Sequence, residues 1–126
     1  MFMKFYKCNT CGNIITKLID SGVLVVCCGE EMEELVPGAT DGAFEKHVPS
    51  VTVEGNVVKV QVGEVEHPMM SEHFIQFIVL ETESGSMIKN LSPGDKPVAE
   101  FVLPAGDKAV AVYEYCNLHG LWVKEI

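Results

Sequence analysis

Four of the five cysteines fall in the first 28 residues, as Cys8-Asn9-Thr10-Cys11-Gly12 and Cys27-Cys28-Gly29. No other feature restricts the fold of this chain so strongly. Cys-x-x-Cys lets two thiolates reach one ion, and the second pair completes four. Between the pairs, Ile14 to Ile19 and Val23 to Val26 read as short strands around the turn Asp20-Ser21-Gly22. A segment this short has almost no core of its own, so a bound metal must supply much of its folding free energy. Four thiolates in a tetrahedron suit either zinc or iron.

The fifth thiol stands in Tyr115-Cys116-Asn117-Leu118-His119-Gly120, on an expected turn after the strand-like run Ala109 to Tyr115. A thiolate beside an imidazole suits a transition metal. The histidines are His47, His67, His73 and His119. One site of four Cys and another of four His plus Cys116 would use every cysteine and histidine in the chain. Taken singly, each histidine reads most simply as a surface or satisfied residue. Together they sit at loops and strand ends, and such loops can meet at one edge of a sandwich.

At 126 residues the chain can hold one ordinary core, or a small module plus a compact domain. The turn-rich stretch Val36-Pro37-Gly38-Ala39-Thr40-Asp41-Gly42 reads as a linker, which divides the chain into residues 1–36 and 37–126. Beyond it, Ser50 to Val53 and Val57 to Val62 flank Glu54-Gly55-Asn56 as a hairpin, with Val58, Val60 and Val62 alternating with polar residues. Phe74 to Glu81, Ser86 to Leu91, Val98 to Leu103, Ala109 to Tyr115 and Leu121 to Lys124 follow. Seven short strands without a convincing helix predict an all-β chain: a small metal module followed by a seven-stranded immunoglobulin-like β-sandwich.

The odd cysteine count argues against a disulfide framework and for metal ligation. No apolar run approaches a membrane span, and the start Met1 to Cys8 has no signal-peptide pattern, which favours the cytoplasm. A formal charge of -9 argues against nucleic acid as a partner. It also repels anionic substrates, so an anion would need a local cation at the site.

The adjacent pair Cys27-Cys28 must splay to reach one ion. That detail resembles desulforedoxin, and the resemblance implies iron. Together with Glu45-Lys46-His47-Val48-Pro49, His67-Pro68-Met69, His73 and Cys116-Asn117-Leu118-His119-Gly120, the pattern resembles the desulfoferrodoxin family, the two-iron superoxide reductases, over nearly the whole chain. The resemblance implies a desulforedoxin-like Fe(Cys)4 domain on Cys8, Cys11, Cys27 and Cys28. It further implies an Fe(His)4(Cys) site, with His47, His67, His73 and His119 in a plane, Cys116 axial and the sixth position open. The implied activity is oxidative-stress detoxification, a one-electron reduction of superoxide to hydrogen peroxide. A rubredoxin-like donor would re-reduce the iron. Lys46 would draw the anion in and help protonate it, and Glu45 would close the site after turnover. The first iron would carry electrons or stabilise its module. Phe2, Phe5 and Tyr6 offer apolar surface to a homodimer. The competing expectation is a non-catalytic electron carrier or structural metal-binding protein with both sites closed, and azide or cyanide binding separates the two.

Overall fold

The structure, a computed structural model, describes residues 2–40 and 42–126. The chain forms two compact units, Met1–Val36 and Pro37–Ile126. Among the described residues no helix is long and apolar enough to cross a membrane.

The first unit is built from strands of two residues each: β1 (Tyr6–Lys7), β2 (Ile14–Ile15), β3 (Val26–Cys27), β4 (Glu30–Glu31) and β5 (Glu33–Glu34). They pair as β2-β1-β5 and β3-β4. The predicted strands from Ile14 to Ile19 and Val23 to Val26 are thus much shorter than expected. Leu18, Ile19, Val23 and Leu24 are exposed, and nothing rewards extending the ladder into them. Phe5, Cys8 and Met32 are the buried hydrophobic residues described in this unit. Phe5 therefore does not offer the apolar surface expected of it, although Phe2 is exposed. Full burial of one such side chain is worth about 1.5–3 kcal/mol, far below the ordering cost of some 30 residues. The sulfurs must hold this unit together through a metal.

The second unit opens with one helical turn, α1 (Phe44–His47), and continues with β6 (Pro49–Glu54), β7 (Val57–Val62), β8 (Ile75–Thr82), β9 (Ser86–Asn90), β10 (Val98–Val102), β11 (Ala109–Cys116) and β12 (Gly120–Glu125). The seven predicted strands are all present, with no end shifted by more than one residue. Two antiparallel sheets result, β10-β7-β6 and β12-β11-β8-β9. The strand order is that of an immunoglobulin-like sandwich, with consecutive strands crossing between layers. The β6–β7 hairpin closes on Gly55-Asn56, where Gly55 has φ 61°, as a two-residue turn with glycine first requires.

Period-two alternation sends Val58, Val60 and Val62 inward from β7, to meet Ile78 and Leu80 of β8, Ala99 and Phe101 of β10 and Val112 of β11. Cys116 belongs to the same buried cluster. Along β8–β11 the register shifts between Tyr115↔Phe77 and Cys116↔Ile75. Such a shift re-aims the side chain at the end of a strand. Here that side chain is the fifth thiol.

Candidate metal centres

In the first unit the sulfurs of Cys8, Cys11, Cys27 and Cys28 lie within 4.8 Å of one another. The Cys11 and Cys27 sulfurs are 3.6 Å apart, close to the edge of about 3.8 Å that metal–sulfur bonds of about 2.3 Å give in a tetrahedron. The adjacent Cys27 and Cys28 share one centre because Cys28 adopts φ 54°. In an extended strand, successive side chains would point to opposite faces. The backbone N–H of Cys11 points at the Cys8 sulfur from 3.4 Å. Led by that bond, the Cys8 pKa is pulled down to about 6. Contact with Cys11 first, then Cys8, pushes the Cys28 thiol up to about 12. Sulfurs this close hold protons between them, and a cation fits the set better than protons do.

The second set gathers from four places in the sandwich. His47 ends α1, His67 lies in the loop after β7, His73 precedes β8, and His119 precedes β12. Cys116 is the last residue of β11 and not, as expected, part of the following turn. The ligand atoms of His47, His67, His73 and Cys116 lie within 4.8 Å of one another. His119 is outside that group, yet its ring completes the figure. Ring centroids are 4.7 Å apart for His47–His67, 4.7 Å for His67–His73, 5.1 Å for His73–His119 and 4.8 Å for His47–His119. The His47–His73 diagonal is 6.5 Å, longer than every side, as in a square. Neighbouring rings stand edge to face at 67–81°.

The hydrogen bonds show which ring nitrogens carry protons. His47 Nδ1 lies 2.8 Å from the Ala43 carbonyl, and His67 Nδ1 lies 2.7 Å from the Pro68 carbonyl. A carbonyl only accepts, so both Nδ1 atoms carry the proton. Burial, ahead of all other causes, lowers the pKa of His47 and holds that of His67 at about 4. Both rings are therefore neutral, and their Nε2 atoms are bare. Those two Nε2 atoms face each other at 3.2 Å with no proton between them. His73 Nε2 is buried with no hydrogen-bond partner. Bare nitrogens brought together, with the opposite Nδ1–H fixed by a carbonyl at His47 and His67, are the arrangement of ligated histidines. The donor set fits a transition metal.

At Cys116, burial pushes the thiol pKa up, while the backbone N–H groups of Leu118 and His119 pull it down. Those N–H groups favour a thiolate once a cation offsets the burial. Two strand positions away, Glu114 is fully buried, and neither carboxylate oxygen has a hydrogen-bond partner. Burial holds its pKa well above the carboxylate range.

Several supporting residues were not singled out in the sequence. The Asn117 side chain accepts from Phe74 N–H at 2.9 Å and donates to the Glu72 carbonyl at 3.1 Å. It ties the segment carrying His73 to the turn carrying Cys116 and His119. Two donors converge on the His119 carbonyl: the Thr40 hydroxyl and, at 3.0 Å, the Trp122 indole N–H. Asn117→Ala is expected to weaken metal binding at the second centre about 10- to 100-fold, with the first centre unaffected. Competition with a chelator measures this, and wild-type affinity in the variant would contradict the latch.

Lys46 lies in α1, beside His47. Burial comes first in lowering the pKa values of His47 and His73, and the Lys46 charge adds to the effect at both. Its field therefore reaches the centre. Glu45 faces a groove that Val48, Ser50, Glu64 and Lys124 also line, and that none of the candidate ligands lines.

Two family profiles match the chain: "Desulfoferrodoxin, N-terminal domain" over residues 2–35 and "Desulfoferrodoxin" over residues 39–125. The chain is 50% identical to the desulfoferrodoxin of Nitratidesulfovibrio vulgaris, over 97% of this chain and 95% of that protein. It is 35% identical to the superoxide reductase of Pyrococcus furiosus, over 68% of this chain and 90% of that one. Among solved structures, the superoxide reductase from Treponema pallidum aligns with a TM-score of 0.83 at 35% identity, over 98% of each chain. The single-iron superoxide reductase from Giardia intestinalis covers 65% of this chain and 97% of its own, with a TM-score of 0.56 and 33% identity. The thiol-rich unit and the sandwich thus match one family in a single chain order, and the chain belongs to the desulfoferrodoxin family.

Proposed function

We propose that this protein is a superoxide reductase with two iron ions, one held by the four cysteines of the first unit and one by the histidine square and Cys116. The observation that carries the reading is the square of imidazoles, whose bare Nε2 atoms at His47, His67 and His73 converge beside a buried sulfur. We assign His119 to the fourth corner from its ring position. Five donors exceed the four that structural zinc favours, and the four imidazoles with Cys116 would hold an iron that keeps an open side for a small anion. When bound, ferrous iron there supplies the electron that converts superoxide, with two protons, into hydrogen peroxide.

The chain's own residues prepare that step. The Cys116 thiolate would donate electron density to that iron, as thiolates do in haem proteins. The carbonyls of Ala43, Pro68 and His119 fix the rings and their backbone. Lys46, whose charge acts on His47 and His73, is the cation we assign to offset the repulsion of a chain with formal charge -9, to attract the anion and to give it a proton. Glu45, turned toward its groove here, is the carboxylate assigned to cover the open side after turnover. Residues 37–126 form the catalytic domain in this reading. Residues 1–36 form an Fe(Cys)4 domain whose metal stabilises the unit and suits one-electron exchange.

An outside donor must return one electron per turnover, and a rubredoxin-like protein has the matching chemistry. Cytoplasmic residence suits five unpaired thiols. Exposed Leu18, Ile19, Val23 and Leu24 in the first unit supply apolar surface for a homodimer.

Lys46→Ala is expected to slow superoxide reduction about tenfold at low salt and to flatten its ionic-strength dependence. Pulse radiolysis across a salt series measures both, and an unchanged low-salt rate would refute the steering role.

A further inference from the structure

We propose that electrons enter the second centre through a row of three aromatic rings beginning at Phe44, and that a one-electron carrier protein docks over the Phe44 edge. The proposal rests on the superoxide reductase reading, in which every superoxide consumed requires an electron from outside.

Phe44 is 68% exposed, an unfavourable place for a phenyl ring without a partner. It stands edge-on to Trp122, with centroids 5.3 Å apart and planes at 84°. Trp122 is only 2% exposed and stacks on His47, with centroids 5.1 Å apart and planes at 27°. His47 in turn directs its bare Nε2 into the ligand square. The row therefore runs from solvent to a ligand through ring contacts alone. Electron tunnelling weakens steeply with each through-space gap, and packed conjugated rings keep those gaps short.

The row is held in place. The Trp122 indole donates to the His119 carbonyl at 3.0 Å. Gly42 closes the slot beside it, where a Cβ would come within 3.1 Å of Trp122 and 3.2 Å of His47. Met70 and Leu118 are also exposed apolar residues near ligands in the chain. Neither carries a ring.

Groups around Phe44 restrict the partner further. Its groove is lined by Glu45, Glu64 and Lys124 together with Val48 and Val51. The matching surface has an apolar centre flanked by charges of both signs, and the redox group lies close beneath it. The step balances as a one-electron transfer: the reduced carrier would lose one electron, the ferric iron held by the square would gain it, and no proton moves between the two proteins.

The test compares reduction of the ferric protein by reduced rubredoxin and by dithionite in a stopped-flow instrument. Phe44→Leu, which keeps apolar bulk but removes the ring, is expected to lower the rubredoxin-to-dithionite rate ratio about tenfold, the loss of one strong interface contact. Phe44→Tyr, which keeps the ring, is expected to hold the ratio within about twofold, below the cost of losing one such contact. In the zinc-loaded protein, rubredoxin is expected to slow amide exchange across residues 43–48. An unchanged ratio in Phe44→Leu, or slowed exchange confined to other segments, would overturn the route. Failure of the wild-type protein to make peroxide from superoxide would instead overturn the functional reading, and the exchange footprint would still report on the docking edge.

Discussion

Replacing Cys116 by serine is expected to leave iron in the second centre and to slow superoxide reduction on the order of a hundredfold, about 2.7 kcal/mol in the barrier. The reasons lie in the position of the sulfur. Cys116 is fully buried, placed by the register shift at the end of β11, and faced by the N–H groups of Leu118 and His119. Four imidazoles can still hold a metal without it. A serine hydroxyl at that position stays protonated far more readily than a thiol and donates much less electron density. Iron quantitation alongside pulse radiolysis separates binding from chemistry. A wild-type rate in an iron-loaded variant would show that the sulfur is unnecessary.

The second large effect is expected at Gly63→Ala. A Cβ there would lie 2.8 Å from the Glu45 carbonyl oxygen and from the Lys46 carbonyl carbon, and 2.9 Å from the Val48 oxygen. All three are backbone atoms, so no side chain can swing aside. The helical turn bearing Lys46 and His47 must move. That turn is also tied to the same loop by the bond from Val65 N–H to the Glu45 carbonyl at 2.8 Å. The variant is expected to lose about 1–3 kcal/mol of stability and, because His47 shifts, part of its second iron. Gly85→Ala serves as the control, since nothing lies within 4 Å of a Cβ at that position. Thermal unfolding and iron content report both effects. Gly63→Ala matching the control in both would contradict the packing argument.

The candidate ligands were legible in the sequence because thiols and imidazoles are scarce and chemically distinctive, and the fold gathers Cys8, Cys11, Cys27 and Cys28 into one group and His47, His67, His73 and Cys116 into another. The sandwich strands were legible because Val58, Val60 and Val62 alternate with polar residues and the Gly55-Asn56 turn marks the hairpin. Other features have no local signature. The helical turn at Phe44–His47 is too short to show a period. The register shift that aims Cys116 is a relation between two strands. Asn117 works across 43 and 45 residues of chain, and Gly63 matters only through backbone that packs against it in three dimensions. In the first unit, exposed Leu18 and Ile19 look strand-forming by composition. The metal knuckles, and not apolar pairing, decide the fold there.

The central claim is that this centre gives electrons to superoxide and takes none from it. The most direct measurement exposes the anaerobic ferrous protein to a limiting pulse of superoxide and counts peroxide and oxygen. One peroxide for each superoxide, with no oxygen evolved, is the predicted result. Half that peroxide accompanied by oxygen, or no peroxide at all, would contradict it.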